Sequence, residues 1–331
     1  MFKLRSFGTI NRTTMQKIAL LYGGFSGEAE ISKKSAEGIH NALQKNGDEV
    51  FLVKIVDTNW TVEIESGQYA IDKNDFTFLL DGEKVVFDKV FNIIHGSPGE
   101  DGKLSGYFEL LGIDYNSAGL LSSALTFNKN WSNRFLSTYG VIAPKSVVFF
   151  KGEDNEELFN EVSFPCFVKP NNGGSSIGTH KAKDRAALDK AIADAFKHDT
   201  EVIVEEFIEG REFSCGIFTT KKGVEVMPLT EIIPKSDFFD YKDKYSADGA
   251  EEITPADLPA DQIAACQSIV KKVFSILRLK KVARIDFILK GGEFYLIEVN
   301  TIPGMSPRSI LPQQALHMGY SFEALVEVLK G

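Results

Sequence analysis

The sequence is poor in cysteine, in positive charge and in long apolar runs, and each shortage closes a class of function. Only Cys166, Cys215 and Cys266 occur in 331 residues. Their odd number and wide spacing fit neither a disulfide framework nor zinc-ligand pairs, so all three are expected to be reduced and buried. Lysine and arginine number 37 against 46 aspartates and glutamates, a formal net charge of -9. That balance opposes non-specific attraction to a phosphate backbone, and no nucleic acid is expected as a partner. No apolar run approaches the roughly 18 residues that a membrane-spanning helix needs, so no membrane is expected either. Residues 1–14 carry Lys3, Arg5 and Arg12 without an acid but lack the continuous apolar core of a secretory signal. They are read as a disordered extension, and the protein as cytoplasmic. Internal repeats and low-complexity tracts are missing too. So are a Walker A sequence and a Gly-x-Gly-x-x-Gly fingerprint after the first strand, which weakens a P-loop or Rossmann cofactor reading.

A hydrophobic content of 43% over this length is enough for two or three domains. Strand-like and helix-like patterns alternate along most of the chain, which predicts an α/β architecture. Lys17 to Tyr22 is a short apolar strand and Gly23-Gly24 a turn; Ala36, Ile39 and Leu43 give helical spacing that stops at Gly47. A strand over Val50 to Val56 follows. The apolar run Val85 to Ile94 continues the alternation and ends in His95-Gly96, at the kind of strand end where open α/β sheets bind ligands. Small residues from Ser117 to Gly119 mark a boundary. Beyond it come a helix holding Lys129 and strands at Ser146 to Phe150, Cys166 to Lys169 and Val202 to Glu206. A long loop spans Ser236 to Gly249. A helix after Asp261 then buries Ile263, Cys266, Val270, Phe274 and Leu277, and a last helix carries Phe322, Leu325 and Leu329 with Ser321 as its N-cap.

Two segments carry chemistry. Val282 to Leu289 and Glu293 to Val299 flank Lys290-Gly291-Gly292 and read as a β-hairpin. Arg284 and Asp286 share one face of its first strand, and Glu298 and Asn300 one face of the second. Asp286 opposes Glu298 if a three- or five-residue loop joins the strands. Two carboxylates and an amide oxygen converging there suit magnesium. A solvated face on which Arg284 pairs an acid is the other reading, and the hairpin alone leaves both open. In Thr301-Ile302-Pro303-Gly304-Met305, Gly304 would let a backbone amide approach an oxyanion beside Arg284. The second segment, Lys169-Pro170-Asn171-Asn172-Gly173-Gly174-Ser175-Ser176-Ile177-Gly178, sets a lysine at a strand end before a loop dense in N–H and hydroxyl donors, which can cradle phosphates or can be a mobile surface turn. Glu205 and Glu212 follow; acids at strand ends are normally solvated.

Taken in order, these segments resemble the D-alanine:D-alanine ligases of the ATP-grasp superfamily. The motifs that carry the resemblance are Gly23-Gly24-Phe25-Ser26-Gly27-Glu28-Ala29-Glu30-Ile31-Ser32, His95-Gly96-Ser97-Pro98-Gly99-Glu100-Asp101-Gly102, the glycine loop, Tyr241-Lys242-Asp243-Lys244-Tyr245, Ala283-Arg284-Ile285-Asp286 and Glu298-Val299-Asn300-Thr301-Ile302-Pro303-Gly304-Met305. They span Lys17 to Lys330. The resemblance implies a three-domain ATP-grasp architecture: an N-terminal Rossmann-like unit over 1–117, a central lobe over 118–208 and a C-terminal lobe over 209–331 holding metal and substrate sites. It implies that Glu28 and the surroundings of His95 receive the ammonium of a first D-alanine, that Ser175 and Tyr245 bond with Glu28 across a closed lid, and that Ser309 holds the carboxylate of a second. Lys129, Lys169, Ser176, Glu205, Glu206, Glu212 and Lys244 would surround ATP, and Asp286, Glu298 and Asn300 two Mg2+ or Mn2+ ions. A homodimer is the family expectation.

The implied reaction makes D-alanyl-D-alanine, for peptidoglycan precursor synthesis. The first D-alanine attacks the terminal phosphate of ATP to give an acyl phosphate, which the amine of the second then attacks. Arg284 and the Gly304 amide stabilise the oxyanion, and a lid formed partly by Ser236 to Gly249 excludes water. Two other readings compete: an ATP-grasp ligase with another acceptor, including one that makes D-alanyl-D-lactate, and a non-catalytic nucleotide-binding regulator. Tyr245 and Lys244 argue against the first. The second should have lost Arg284 or a metal ligand, and none is lost.

Overall fold

The computed structural model describes residues 15–25, 29–174, 176–234 and 250–331. Strand β1 (Lys17–Gly23) is buried along nearly its whole length, helix α1 (Ala29–Lys45) follows, and β2 (Glu49–Val56) pairs parallel to β1. A run buried on both faces is what a central parallel strand requires. The spacing read from the sequence holds in α1, where Ala36, Ile39 and Leu43 are buried. Strands β3 (Asn59–Ile64) and β4 (Gly67–Ala70) extend the edge, β5 (Thr77–Leu80) pairs with β6 (Glu83–Val86), and β7 (Lys89–Asn92) lies parallel to β1 on its other side. Helix α2 (Lys103–Leu111) and β8 (Asp114–Tyr115) complete a six-stranded sheet ordered β4-β3-β2-β1-β7-β8.

The apolar run Val85 to Ile94, read as one element, is therefore divided between β6 and β7 in different sheets. Asp88 makes the break. Its carboxylate accepts from the Lys17 N–H at 2.7 Å and its N–H donates to the Lys17 carbonyl at 2.8 Å, which ends one strand and registers the next against β1. His95 consequently lies three residues beyond the end of β7.

Helices α3 (Leu120–Phe127) and α4 (Lys129–Ser137) lead into an antiparallel four-stranded sheet ordered β11-β10-β12-β9, made of β9 (Ser146–Phe150), β10 (Cys166–Pro170), β11 (His180–Ala182) and β12 (Glu201–Glu206), with α5 (Arg185–Ala195) packed on it. The remaining strands, β13 (Arg211–Thr220), β14 (Gly223–Pro234), β15 (Ala250–Ile253), β16 (Val282–Lys290) and β17 (Glu293–Asn300), form a five-stranded antiparallel sheet ordered β15-β14-β13-β16-β17. Helix α6 (Ala260–Ile276) packs Cys266, Val270 and Phe274 on one face. On the other lie α7 (Ile310–His317), which the sequence reading did not name, and α8 (Phe322–Lys330). Neighbouring residues of β13 point to opposite sides, so Ile217 joins the α6 core while Phe218 joins Leu311, Leu325 and Leu329. That second core also contains Ile18, Leu20, Ile39 and Leu43, so the end of the chain packs against its beginning. Ser321 caps α8 as expected, its side chain accepting from the Ala324 N–H.

Candidate active site

A cleft of about 910 Å³ opens between the four-stranded and five-stranded sheets. It gathers Lys129, Lys169, Ser176, Glu205, Glu206, Glu212, Asp286 and Glu298 from segments far apart in sequence, together with Gly96 and Ser97 of the loop after β7. Apolar lining comes from Phe167, Phe207, Ile208, Ile288 and Ile297, none of which the sequence reading singled out. A cleft lined by both apolar and charged side chains can seat an aromatic base against the one and its phosphates against the other.

The glycine loop leaves β10 from a pinned base. The Asn171 side-chain amide donates to Glu201 at 2.5 Å, while its carbonyl and side-chain oxygens accept from the backbone N–H groups of Lys129 and Asn130 at the start of α4. Asn172 donates from backbone and side chain to Asp199, at 2.6 and 3.0 Å. Lys129, the first residue of α4, donates to the carbonyl of Gly173 and lies 3.8 Å from Glu298, so one buried cation bridges loop and hairpin. Ser176 takes a left-handed φ of 57°, which lets the chain turn within the loop.

Glu205 departs from the solvated acid expected at a strand end. It is only 2% exposed and accepts from the Lys169 ammonium at 2.7 Å. A carboxylate so buried needs a paired cation. Burial works against the charged form of Lys169, but the charges of Glu205, Glu298 and Glu212 outweigh it and raise the lysine above its ordinary value.

In the hairpin, β16 and β17 are joined by Gly291 and Gly292 alone, since Lys290 already pairs with Glu293. The expected three- or five-residue loop is absent. A two-residue turn sets Phe287 opposite Leu296 and would set Asp286 opposite Ile297, but the register shifts between Phe287 and Asp286. Ile297 is the extra residue of a β-bulge, and beyond it Asp286 faces Glu298 and Arg284 faces Asn300. The carboxylates are thus opposed, by a bulge rather than by the loop.

Asp286 is 6% exposed and satisfied by several donors. Arg284 donates Nε to Oδ1 at 3.0 Å and Nη2 to Oδ2 at 2.7 Å, Asn300 Nδ2 donates to Oδ2 at 3.0 Å, and Ser214 Oγ donates to Oδ1 at 2.7 Å. The arginine–acid pairing weighed as an alternative to a metal site is therefore present, but inside the cleft rather than on a solvated face. Asp286, Glu298 and Asn300 nevertheless supply only oxygen donors suited to a hard divalent ion, the Asn300 amide being free to present its oxygen by rotation. Among the described residues no cluster of three His, Cys, Asp or Glu side chains is set for a metal, and this set depends on that amide.

The loop after β7 meets the loop after β17 through Ile302. His95 Nδ1 lies 3.0 Å from the Ile302 carbonyl, and the Ile302 N–H donates to Glu100 at 3.3 Å, while Glu100 also accepts from the Gly96 N–H at 2.7 Å. Because the Ile302 carbonyl can only accept, Nδ1 carries the proton in this contact. Two residues on, Gly304 abuts Ser309 at the N-cap of α7: a Cβ on Gly304 would come within 3.0 Å of Ser309 Oγ. Ser309 Oγ also contacts Ser306 Oγ at 2.8 Å. Glu28, Ser175, Lys244, Tyr245 and the expected lid from Ser236 to Gly249 lie outside the described residues.

Residues 17–118 match the family model described as the D-ala D-ala ligase N-terminus, and residues 136–330 match that of the D-ala D-ala ligase C-terminus. The chain belongs to the D-alanine–D-alanine ligase family. A D-alanine–D-alanine ligase of Flavobacterium johnsoniae is 40% identical over 314 residues, covering 94% of this chain and 97% of the relative. One from Parabacteroides distasonis is 42% identical over 308 residues, covering 92% and 93%. Among solved structures, the VanG D-Ala:D-Ser ligase of Enterococcus faecalis superposes with a TM-score of 0.84 at 32% identity, covering 96% of this chain and 98% of its own. The D-alanyl-alanine synthetase A of Vibrio cholerae gives 0.84 at 30% identity, covering 96% and 100%. A D-alanine–D-alanine ligase of Bacillus anthracis complexed with ATP gives 0.76 at 27%, covering 95% and 96%. The α/β, ATP-grasp architecture with a Rossmann-like N-terminal unit, expected for this family, is the architecture found.

Proposed function

We propose that this chain joins two D-alanine molecules in the cleft between the two antiparallel sheets, spending ATP through a D-alanyl phosphate, and that the dipeptide supplies peptidoglycan precursor synthesis. The observation that carries the reading is the convergence in one cleft of Lys129, Lys169 and the bulged carboxylate pair Asp286 and Glu298. Phosphoryl transfer is governed by positioning and charge neutralisation, and these groups provide both. In this reading Glu205, Glu206 and Glu212 border adenine and ribose, while Lys129, Lys169, Ser176 and Lys244 reach the phosphates. Asp286, Glu298 and Asn300 would hold two Mg2+ or Mn2+ ions, which when bound neutralise phosphate charge.

The chain's own groups then divide the remaining work. His95, fixed by the Ile302 carbonyl, and Glu28 hold the first D-alanine, and Ser309 beside Gly304 holds the carboxylate of the second. Arg284 and the Gly304 amide meet the negative charge that develops on the attacked carbonyl. Ser175 and Tyr245 close the site with Glu28, which keeps water from the acyl phosphate.

The domain division at 117/118 and 208/209, a cytoplasmic location and a homodimer belong to the same proposal. For the dimer, Trp131, Phe135 and Tyr139 form an exposed aromatic stripe at helical spacing on and just past α4. Among the described residues no helix is long and apolar enough to cross a membrane. D-serine as acceptor is a second reading, favoured by the likeness to the D-Ala:D-Ser ligase of Enterococcus faecalis. Mass analysis of the product formed from ATP, Mg2+ and D-alanine tests the proposal: D-alanyl-D-alanine with equimolar ADP supports it, and ATP hydrolysis without dipeptide refutes it.

A further inference from the structure

Four residues stand in a row on adjacent strands of the five-stranded sheet: Thr230 on β14, Ser214 on β13, Asp286 on β16 and Glu298 on β17. Thr230 and Ser214 are fully buried, and buried hydroxyls need partners. Ser214 finds one in Asp286. Its Oγ donates to Oδ1 at 2.7 Å, and the direction is set because an ionised carboxylate only accepts.

The two oxygens of Asp286 are thereby distinguished. Arg284 bridges both oxygens, Nε to Oδ1 at 3.0 Å and Nη2 to Oδ2 at 2.7 Å; beside it Ser214 holds Oδ1 from β13, while Asn300 reaches Oδ2 at 3.0 Å from β17. The Ser214 hydroxyl is itself anchored by its strand. Gln314 of α7, fully buried, donates to the Ser214 carbonyl at 2.8 Å and to Thr230 Oγ1 at 3.0 Å, and accepts from the Gly216 N–H at 3.0 Å. Gly216 sits where β13 slips register against β14, and a Cβ there would come within 2.7 Å of Gln314 Oε1 and 2.5 Å of Met227 Sδ. Gly216 leaves no room for a side chain between β13 and Gln314.

We infer that Ser214 is a positioning residue for the divalent-cation site, its hydroxyl fixing one oxygen of Asp286 so that the other is presented toward Glu298 and Asn300. The inference rests on the reading of those three residues as cation ligands. A carboxylate whose Oδ1 is held by a hydroxyl as well as by its arginine has less freedom to lose when a cation binds, and hydrogen bonds that orient liganding carboxylates typically strengthen cation binding by about 10- to 100-fold. Ser214 touches neither nucleotide nor amino acid in this reading and acts through Asp286.

The test is a titration of the full-length protein with Mn2+ in the presence of saturating ADP, followed by electron paramagnetic resonance, which reads cation affinity without turnover. Ser214→Ala should weaken Mn2+ binding by about 10-fold or more. Ser214→Cys, close in volume but a weak donor, should do the same and serves if the alanine variant folds poorly. Ser214→Thr, which keeps the hydroxyl, should retain wild-type affinity. Wild-type affinity in the alanine or cysteine variant, or weakening in the threonine variant as large as in alanine, overturns the inference. Unchanged Mn2+ affinity in Asp286→Asn overturns instead the ligand reading on which it rests.

Discussion

Asp286 and Glu298 face one another across β16 and β17 because Ile297 is bulged out of the ladder between them. The bulge places both carboxylates on the cleft, where Asp286 accepts from Arg284, Ser214 and Asn300 and Lys129 approaches Glu298 at 3.8 Å.

Both carboxylates can be tested by amide substitution. Glu298→Gln should lose several kcal/mol of transition-state stabilisation, on the order of a 100-fold or greater drop in kcat/KM, and should also melt below wild type because it removes the acid 3.8 Å from buried Lys129. Asp286→Asn should lose comparable activity and also roughly 1–3 kcal/mol of stability, since it strands a donor array built for a carboxylate. Thermal melts and steady-state rates at ordinary Mg2+ check both; full turnover by either variant removes the metal assignment.

Arg284→Ala should keep nucleotide affinity and lose about 3 kcal/mol of catalysis, on the order of 100-fold in kcat, because an oxyanion donor acts chiefly in the transition state. Calorimetry with ADP beside kcat measures the split. Weakened ADP binding with an unchanged rate would assign Arg284 to the nucleotide instead.

Lys169→Met leaves Glu205 buried without its cation and should cost about 3–5 kcal/mol of stability. The folded-state pKa of Lys169 lies above its ordinary 10.5. The stabilisation is therefore fully present below the unfolded value and lost only as pH rises through the folded one. The difference in melting between wild type and variant should be flat from about pH 6 to 9 and narrow only above about 10.5. A difference that shrinks between about pH 7 and 9 would contradict the pairing.

Burial pushes the Cys166 thiol up to about 11 and Cys266 up to about 12, and holds Cys215 well above its ordinary value. Native protein at about pH 8 should react with no equivalent of a thiol reagent and denatured protein with three, matching the three cysteines. Rapid labelling of the native fold would place a cysteine at the surface.

What the sequence revealed divides along physical lines. Period-two and period-3.6 patterns located β1, α1, the β16–β17 hairpin and α8, because each buries a regular face. That Asp286 and Glu298 could face each other was legible only as a register conditional on an odd-length loop; the bulge at Ile297, which brings it about, leaves no sign in alternation. Asp88, which divides β6 from β7, acts through a contact with Lys17 that a local window does not contain. Glu205 is buried because Lys169 reaches it from a neighbouring strand, a fact of tertiary packing. Ser214 and Gln314 had no motif to mark them; a lone hydroxyl within the apolar run Phe213 to Phe218 was the only available hint.

The central claim is that this cleft activates one D-alanine with ATP and delivers it to a second. Phosphate and ADP release, together with product mass, should be measured at neutral pH with D-alanine alone, L-alanine alone, and D-alanine in the presence of D-lactate or D-serine. The account predicts one ADP and one phosphate for each D-alanyl-D-alanine formed, no turnover of L-alanine, and D-alanyl-D-alanine as the main product in both competitions. A depsipeptide or a D-alanyl-D-serine product that outruns the dipeptide, or ADP release that does not depend on D-alanine, would contradict it.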